Sequence, residues 1–423
     1  MTYRPRILDR TLDELFPHLT AIAIEGAKGV GKTATGSQHA STIVSLENGA
    51  RRAAIAADPD LITTFEPPLL IDEWQLLPTV WDRVRRAVDD GPGGARYLLA
   101  GSASPPPEAR LHSGAGRIVR LVMRPMTFAE RVPLDSEISL AALMSGNAGD
   151  VRGSTSVTVR DYADEVVRSG FPGIRDLPAR ARRIQLDSYV DRAVDRDLDD
   201  AGIRIREPAA LRAWLTAYGA ATSSDASYTA ILDAATPGES DKPTRQTVAR
   251  YREHLSRTFI LDPVPAWVPS FTPLKRLAKA PKHHLVDPAL AARVVGVDVP
   301  GLLRGDGQLF AAPAATWLGA LFESLVTQSV RVYAEAADGR VSHLRTQNGD
   351  HEIDVIIEGP DLGVVAIEVK LAGEVDDRDV AHLNWLKGRI GDRLVERIVI
   401  NTGPHAYRRN DGVAVIPLAL LNP

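Results

Sequence analysis

The chain has 423 residues, a formal net charge of −4 at pH 7 and no cysteine. The lack of cysteine excludes disulfides and thiolate metal sites, but Asp, Glu and His remain available for a hard cation. The sequence contains no run of about 18 apolar residues, and its N-terminus lacks the apolar segment of a signal peptide. We therefore expect a cytoplasmic protein of two or three domains, with no membrane partner.

The first part of the chain alternates short apolar runs with helical patterns. Buried strands are predicted at residues 21–24, 42–46, 69–71 and 97–100, and a helix at residues 32–40. Segments rich in Gly and Pro at residues 89–95 and 104–107 are predicted to be connecting turns. This order of elements is typical of an α/β domain with a parallel sheet.

A phosphate-binding loop, GAKGVGKT at residues 26–33, lies between the first strand and the first helix. Its spacing lets backbone N–H groups wrap a β-phosphate, with Lys32 on the β- and γ-phosphates and the Thr33 hydroxyl on Mg²⁺. Only eight of the 50 basic residues are lysines. Because lysine is scarce, chance is a weaker explanation for its presence at the motif position 32 than it would be in a lysine-rich chain. We predict ATP and Mg²⁺ as cofactors, with the nucleotide bound by Gly26, Ala27, Lys28, Gly29, Val30, Gly31, Lys32, Thr33, Ala34 and Ser102.

Two carboxylates, Asp72 and Glu73, end the third predicted strand. Phosphoryl transfer needs a Mg²⁺ ligand and a group that polarises the attacking water, and we predict Asp72 and Glu73 for these roles. The next strand ends at Ser102, which can sense the γ-phosphate. Arg117 is the candidate for neutralising transition-state charge, in its own subunit or in a neighbouring one; an ordinary surface position is the alternative.

The middle of the chain is mostly helical. Residues 134–153 are rich in Ala, Gly, Ser and Asn and are predicted to contain a domain boundary. Helices at residues 226–235 and 244–255, followed by a short ribbon of residues 259–261 and 264–268, indicate a winged helix, although the segment 236–243 is long for a compact turn. Residues of the second helix, including Arg245, Gln246, Arg250, Arg252 and Arg257, predict contact with DNA or RNA; a solvated helix is the alternative.

Several motifs together resemble the bacterial and archaeal P-loop ATPases of the AAA-like class that carry a C-terminal domain of unknown function. The resemblance rests on IDEWQLLP at residues 71–78, GS at 101–102, GR at 116–117, RPMTFAE at 124–130, SGFP at 169–172, residues 189–197 and EVK at 368–370. It implies an ATPase core, a winged-helix middle and a restriction-endonuclease-like end.

Four residues of the C-terminal region match the layout of the PD-(D/E)xK nuclease fold. Glu323 lies on a helix predicted at residues 315–333, and Asp354 and Glu368 lie on strands predicted at 352–357 and 364–369. Glu368 and Lys370 are two residues apart and share one face of a strand. We predict that Asp354 and Glu368 bind Mg²⁺, completed by Glu323, and that Lys370 activates water. A fold retained only for binding is the alternative.

The predicted architecture is α/β: a P-loop AAA-like ATPase domain at residues 1–135, a helical and winged-helix domain at 136–300 and a PD-(D/E)xK nuclease-like domain at 301–423. The first functional hypothesis is a Mg²⁺-dependent ATPase coupled to a nuclease that acts on nucleic acid. The second is a regulatory or scaffold ATPase that binds protein or DNA without cleavage. Either hypothesis allows a protein partner or self-association.

Overall fold

The computed structural model describes residues 3–91, 93–102, 114–132, 138–147, 149–195, 208–236, 243–269, 280–305 and 316–423. The turn predicted at residues 104–107 and most of the segment 236–243 lie outside these ranges. None of the helices within the described ranges is long and apolar enough to span a membrane.

A five-stranded parallel sheet forms the first domain. Its strands are Ala21–Glu25 (β1), Thr42–Ser45 (β2), Leu69–Asp72 (β3), Tyr97–Gly101 (β4) and Ile118–Val122 (β5). They lie in the order β2-β3-β4-β1-β5, and every pairing is parallel. The α/β class and the four predicted strands are confirmed, while β5 was not predicted.

Both faces of this sheet are buried. Alternate residues point to opposite faces, so Ile22 and Ile24 join one apolar cluster while Ala21 and Ala23 join another. Burial on two faces explains why β1 reads as a continuous apolar run rather than an alternating one. The helices of this domain are Ile7–Leu15 (α1), Lys32–Gln38 (α2), Gly49–Ala57 (α3), Thr79–Asp90 (α4) and Phe128–Arg131 (α5).

Short and medium helices make up the middle of the chain. They are Leu140–Met144 (α6), Val159–Arg168 (α7), Pro172–Arg175 (α8), Ala179–Asp195 (α9), Pro208–Ala220 (α10), Tyr228–Ala235 (α11), Arg245–Arg257 (α12), Pro288–Val295 (α13) and Val299–Arg304 (α14). The side chains of Ser227 and Thr244 accept hydrogen bonds at the starts of α11 and α12. These caps explain why both helices begin where the sequence predicts.

The predicted ribbon of residues 259–261 with 264–268 is wrong. Leu261 forms an antiparallel bridge with Leu285, and Val264 forms one with Lys282, so these residues pair with a later segment. The chain does not turn back at Asp262 because its N–H donates to the His284 carbonyl at 3.0 Å. The winged-helix assignment stays a prediction.

The C-terminal region contains a seven-stranded mixed sheet beside a long helix, Trp317–Glu335 (α15), and a shorter one, Ala381–Ile390 (α16). Two short strands precede it in the chain, Ile138–Ser139 (β6) and Gly153–Ser154 (β7). The later strands are Arg340–Arg345 (β8), Glu352–Glu358 (β9), Val364–Val369 (β10), Leu394–Asn401 (β11), His405–Arg408 (β12), Ala414–Pro417 (β13) and Leu421–Asn422 (β14).

The seven strands lie in the order β7-β12-β13-β11-β10-β9-β8, and β14 pairs separately with β6. The segment after the first domain therefore supplies one edge strand of the C-terminal sheet and the partner of β14. The predicted domain limits at residues 135 and 300 stay a prediction.

Arg124 connects three parts of the chain. Its Nε donates to Asp262 at 2.7 Å and its Nη1 to Glu335 at 2.6 Å, while its carbonyl accepts from Arg6 Nη2 at 2.8 Å. Burial alone would lower the pKa of Arg124, but the two carboxylates outweigh it and raise the pKa above its ordinary value. Asp262 also pairs with Arg331 at 3.0 Å. One desolvated guanidinium thus holds the first domain to both of the regions that follow it.

We expect Arg124→Met to destabilise the fold by about 1.5–3 kcal/mol, because the charged hydrogen bonds of a buried guanidinium are lost while Asp262 keeps Arg331 as a partner. Urea unfolding monitored by tryptophan fluorescence measures the change. Arg340→Met, at an exposed position on β8, is the control and should shift stability by less than about 0.5 kcal/mol. Equal midpoints for Arg124→Met and the wild type would contradict this account.

The same comparison has a pH dependence. Burial alone would raise the pKa of Asp262, but Arg124 and Arg331 lower it to about 2. Because this lies below the unfolded value of about 3.9, the stabilisation is complete above about pH 4 and is lost as the pH falls towards 2. The stability difference between wild type and Arg124→Met should therefore shrink over that range.

Candidate functional site

Three neighbouring strands end at one edge of the parallel sheet. Glu25 on β1 is in register with Gly101 on β4, and Asp72 on β3 with Ala100 on β4. Because parallel strands share a direction, the residues that follow β1, β3 and β4 meet at this edge. The structure therefore brings the phosphate loop together with Asp72, Glu73 and Ser102.

Glycines set the shape of the phosphate loop. Gly31 immediately precedes α2 and has φ 106°. Residues with a side chain rarely adopt this left-handed conformation. A Cβ added at Gly26 would lie 2.2 Å from the carbonyl oxygen of Met123, so the loop approaches the chain after β5 more closely than any side chain permits. Together they leave the N-terminus of α2 at the loop, where backbone N–H groups bind anions.

Lys32 is folded onto the loop. Its Nζ donates to the carbonyls of Gly26 and Ala27, each at 2.9 Å. Burial lowers the pKa of Lys32 to about 8, although the carboxylates of Glu73 and Asp72 oppose the shift. The two carbonyl oxygens accept hydrogen bonds from the ammonium, as phosphate oxygens would.

Thr33 and Asp72 lie side by side. The Thr33 hydroxyl donates to Asp72 Oδ1 at 2.9 Å. Burial raises the pKa of Asp72, and the hydrogen bond from Thr33 opposes this shift. A hydroxyl and a carboxylate are hard oxygen donors at the end of a phosphate loop, so this pair fits Mg²⁺.

Glu73 follows Asp72 in a left-handed conformation, with φ 52° and ψ 44°. Such a conformation costs about 1–2 kcal/mol for a non-glycine residue and turns the side chain away from the strand direction. Its Oε2 accepts from Gln75 Nε2 and, at 3.3 Å, from the Ser102 hydroxyl. Gln75 also donates to Ser102 at 3.3 Å. The structure thus groups Glu73 and Ser102 as predicted and adds Gln75, which was not singled out.

Arg117 lies at the opposite end of the sheet. It immediately precedes Ile118, which pairs with Ala21 at the start of β1, five residues before the phosphate loop. Five strand residues span roughly 16 Å. Arg117 donates instead to Asp89 at the end of α4, at 2.7 Å. Its predicted action within its own subunit is therefore incompatible with this structure, because the strand β1 separates it from the loop; action on a neighbouring subunit stays a prediction.

The middle region contacts the phosphate loop through α9. The Tyr189 hydroxyl donates to the Lys28 carbonyl at 3.0 Å, and the Tyr189 ring packs on Phe171 with centroids 4.9 Å apart. A cavity of about 240 Å³ opens here, lined by Lys28, Gly29 and, one helical turn beyond Tyr189, Arg192. Arg192 lies within the segment 189–197 that carries part of the family resemblance, but no local pattern predicts a role for it.

A larger cavity, of about 590 Å³, lies on the other side of the loop. Its walls include Gly31 and Ala34 at the start of α2, Tyr3 near the N-terminus, and Met123. The Tyr3 hydroxyl is held by Asp9 and by Thr35 at 3.0 Å. The volume falls within the range of small-ligand pockets, and the position adjoins Ala34, which the sequence predicts to contact nucleotide.

The predicted C-terminal site contains an additional residue, Lys282. Its Nζ lies 2.8 Å from Glu323 Oε1 and 2.8 Å from Asp354 Oδ1, and 3.3 Å from Glu352. Burial alone would lower the pKa of Lys282, but the three carboxylates raise it well above its ordinary value. The ammonium therefore stands between two predicted metal ligands, and the arrangement does not fit Mg²⁺ bound by both of them.

Glu368 and Lys370 form the other half of this cluster. Lys370 Nζ donates to Glu368 Oε2 at 3.2 Å, and the Val369 N–H donates to Asp354 Oδ2 at 2.9 Å. Burial raises the pKa of Glu368 well above its ordinary value, and the charge of Asp354 adds to the shift. The structure thus brings all four predicted residues together but pairs each carboxylate with a lysine or an amide.

On α12, the residues predicted to contact nucleic acid differ in exposure. Arg245, Gln246 and Arg250 are exposed. Arg252 instead lies over the Tyr228 ring, 3.5 Å from its centroid, so its guanidinium serves packing. The face predicted to contact nucleic acid is therefore narrower than the sequence indicates.

Three families match consecutive parts of the chain. An AAA domain matches residues 19–132. Domains of unknown function match residues 159–300 (DUF8612) and residues 318–421 (DUF4143). The AAA match covers the parallel sheet and the phosphate loop.

Two mycobacterial proteins are similar to most of the chain. The uncharacterized proteins Mb2031c of Mycobacterium bovis and Rv2008c of Mycobacterium tuberculosis are each 26% identical over 413 residues, which cover 94% of this chain and 79% of theirs. Among solved structures, the Walker-type ATPase PABY2304 of Pyrococcus abyssi is similar with a TM-score of 0.39 and 14% identity, over 68% of this chain and 94% of that one.

The AAA match and the loop geometry agree. Both support a P-loop domain of the ATPase type in the region that contains β1–β5.

Proposed function

We propose that the protein hydrolyses ATP with Mg²⁺ at the sheet edge formed by β1, β3 and β4. The observation that carries the proposal is the contact of 2.9 Å between Thr33 and Asp72, beside a carboxylate, Glu73, that Ser102 and Gln75 hold in place. A phosphate loop alone supports binding, whereas this arrangement supports hydrolysis because it supplies both a Mg²⁺ site and a group for water.

Each residue has a defined task. Lys32 transfers its hydrogen bonds from the loop carbonyls to the β- and γ-phosphates. Thr33 and Asp72 hold Mg²⁺, which when bound supplies charge that offsets the phosphate oxygens. Glu73 orients a water against the γ-phosphorus and accepts its proton as the bond to the bridging oxygen breaks. Ser102 holds Glu73 and senses whether a γ-phosphate is present.

The nucleoside of ATP binds in the cavity of about 590 Å³ beside Gly31 and Ala34. This cavity is continuous with the start of α2, so a phosphate chain on the loop directs the nucleoside towards Met123 and Tyr3. The apolar Met123 side chain suits a purine face, and the cavity supplies the shape that fixes its orientation.

Arg192 connects the γ-phosphate to the middle region. It lines the cavity at Lys28 and Gly29, and Tyr189 fixes that part of α9 to the loop at 3.0 Å. A γ-phosphate adds negative charge at this point, and its loss on hydrolysis removes the attraction for the guanidinium. The position of α9 thereby reports the nucleotide state to the rest of the chain. Arg117 acts, by contrast, on the site of a neighbouring copy in a self-associated form.

Of the two roles that the sequence predicts, we favour a regulatory ATPase that binds a partner without cutting it. Lys282 lies between Glu323 and Asp354, where a nuclease would hold its metal ion. The exposed residues Arg245, Gln246 and Arg250 of α12 suit the phosphates and base edges of DNA or RNA, which we propose as the partner. A protein partner is the other outcome.

Hydrolysis is tested with Glu73→Gln, which keeps the size of the side chain but removes its charge. We expect kcat to fall roughly 100-fold or more while the affinity for Mg²⁺·ATP changes little, since a general base contributes about 10²–10⁴-fold. Lys32→Ala should instead lose nucleotide binding. Glu66→Gln, at an exposed position, is the control. Wild-type turnover in Glu73→Gln would refute the assignment.

The role of Arg192 is tested by turnover and by hydrogen exchange. Arg192→Ala should reduce kcat roughly tenfold or more, because a positioned arginine stabilises transition-state charge, and Arg192→Lys should restore part of it. The difference in exchange of α9 between ATP-analogue and ADP states should disappear in Arg192→Ala. Arg180→Ala, exposed near the start of the same helix, should behave as wild type. Unchanged turnover together with unchanged exchange would exclude this role.

The nucleic-acid partner is tested through stimulation of ATP hydrolysis. DNA or RNA should raise the rate, and the effect should fall steeply with salt because phosphate contacts release counterions. The double substitution Arg245→Ala, Arg250→Ala should remove most of the stimulation. The double substitution Arg10→Ala, Arg86→Ala changes the charge equally at exposed positions of the ATPase domain and should not. If no nucleic acid changes the rate, the nucleic-acid partner is refuted and a protein partner becomes the proposal to test.

A further inference from the structure

Lys282 is a buried lysine outside the ATPase site. Its side chain is 2% exposed, and its ammonium contacts Glu323 and Asp354 at 2.8 Å each. Lysine is rarely buried unless it is paired, and only eight lysines occur in the chain. The segment that carries Lys282 belongs to the middle region, whereas both carboxylates belong to the C-terminal region.

We propose that the ammonium of Lys282 is the permanent cation of the C-terminal acidic cluster, in place of a divalent metal ion. The cluster then joins two regions of the chain instead of cleaving phosphodiester bonds. This inference does not depend on ATP hydrolysis.

Most carboxylate oxygens of the cluster that could bind a metal ion already have hydrogen-bond donors. Mg²⁺ requires about six oxygen ligands at about 2.0–2.1 Å, several of them carboxylate oxygens in a predicted site of this kind. Glu323 Oε1 and Asp354 Oδ1 already face Lys282, and Asp354 Oδ2 accepts from Val369 N–H at 2.9 Å. Glu368 Oε2 accepts from Lys370 at 3.2 Å.

One fully buried oxygen of this cluster, Glu368 Oε1, has no hydrogen-bond partner within the part of the chain that the structure describes. A divalent ion at this oxygen would have to compete with Lys282, Lys370 and the Val369 N–H for its other carboxylate ligands. A second cation here would also stand close to two ammonium groups, and like charges in a desolvated space repel strongly.

Hydrogen bonds hold the backbone around Lys282 in place. Lys282 exchanges both backbone hydrogen bonds with Val264, at 2.9 Å each. The next residues are tied as well: His283 N–H donates to the Ser224 carbonyl at 2.8 Å, and the His284 carbonyl accepts from Asp262 at 3.0 Å. These hydrogen bonds fix the backbone that carries Lys282. The side chain itself is 2% exposed and is enclosed by the carboxylates that it contacts, so the ammonium is part of the packed cluster.

The experiment measures Mn²⁺ binding by the electron paramagnetic resonance of free Mn²⁺. All variants carry Asp72→Asn, which removes the predicted metal ligand at the phosphate loop, and no nucleotide is added. Four proteins are compared: this background, the background with Glu368→Gln, with Lys282→Met, and with Lys282→Met and Glu368→Gln together. Methionine matches the length of lysine without its charge.

We expect the background protein and the background with Glu368→Gln to bind the same amount of Mn²⁺. Lys282→Met should gain a site, because the carboxylates lose their cation, and Glu368→Gln should remove that gain. Full-length protein with Mg²⁺ or Mn²⁺ should cleave DNA and RNA no faster than an Asp354→Ala, Glu368→Ala double variant.

Two results would overturn the proposal: a Mn²⁺ site in the background that Glu368→Gln abolishes, or a folded Lys282→Met that gains no site. If circular dichroism shows that Lys282→Met does not fold, the comparison of the background with Glu368→Gln decides by itself, together with the cleavage assay.

Discussion

The buried guanidinium of Arg124 is the contact on which the arrangement of this protein depends. It lies just after β5, and it binds a carboxylate of the middle region, Asp262, and one at the end of α15, Glu335. Its carbonyl also receives Arg6, whose Nη1 reaches the Val30 carbonyl in the phosphate loop at 2.8 Å. Two side chains, Arg6 and Arg124, thus connect the phosphate loop to both later regions. The charged hydrogen bonds of this one buried guanidinium therefore hold the three regions in contact.

The ATPase site follows from the direction of the strands. Parallel strands deliver the phosphate loop, the Asp72–Glu73 pair and Ser102 to one edge, although these lie up to about 75 residues apart in the chain. The same geometry places Arg117 at the other edge, next to Asp89. Helix α9 of the middle region adds two further side chains at the loop. Tyr189 donates to the Lys28 carbonyl, and Arg192 lines the cavity beside Lys28 and Gly29.

Two acidic pairs in this chain show how neighbours decide the chemistry of a carboxylate. Asp72 stands beside a threonine hydroxyl, whereas Asp354 stands beside the ammonium of Lys282. Local spacing around the second pair is typical of a nuclease. The cation comes from a segment about 70 residues earlier, on a strand-like stretch whose pairing with Val264 was not predicted.

The sequence by itself determined the α/β class, the first four strands, the helices α11, α12 and α15, and the phosphate loop with its carboxylates. These rest on local periodicity and spacing, which any short window contains. Only the tertiary structure decided that Arg117 faces away from its own loop, that Gln75 and Arg192 adjoin the site, and that Lys282 fills the C-terminal cluster. Each of these depends on which distant segments pack together, and burial and pairing of charge across such distances leave no local pattern in the sequence.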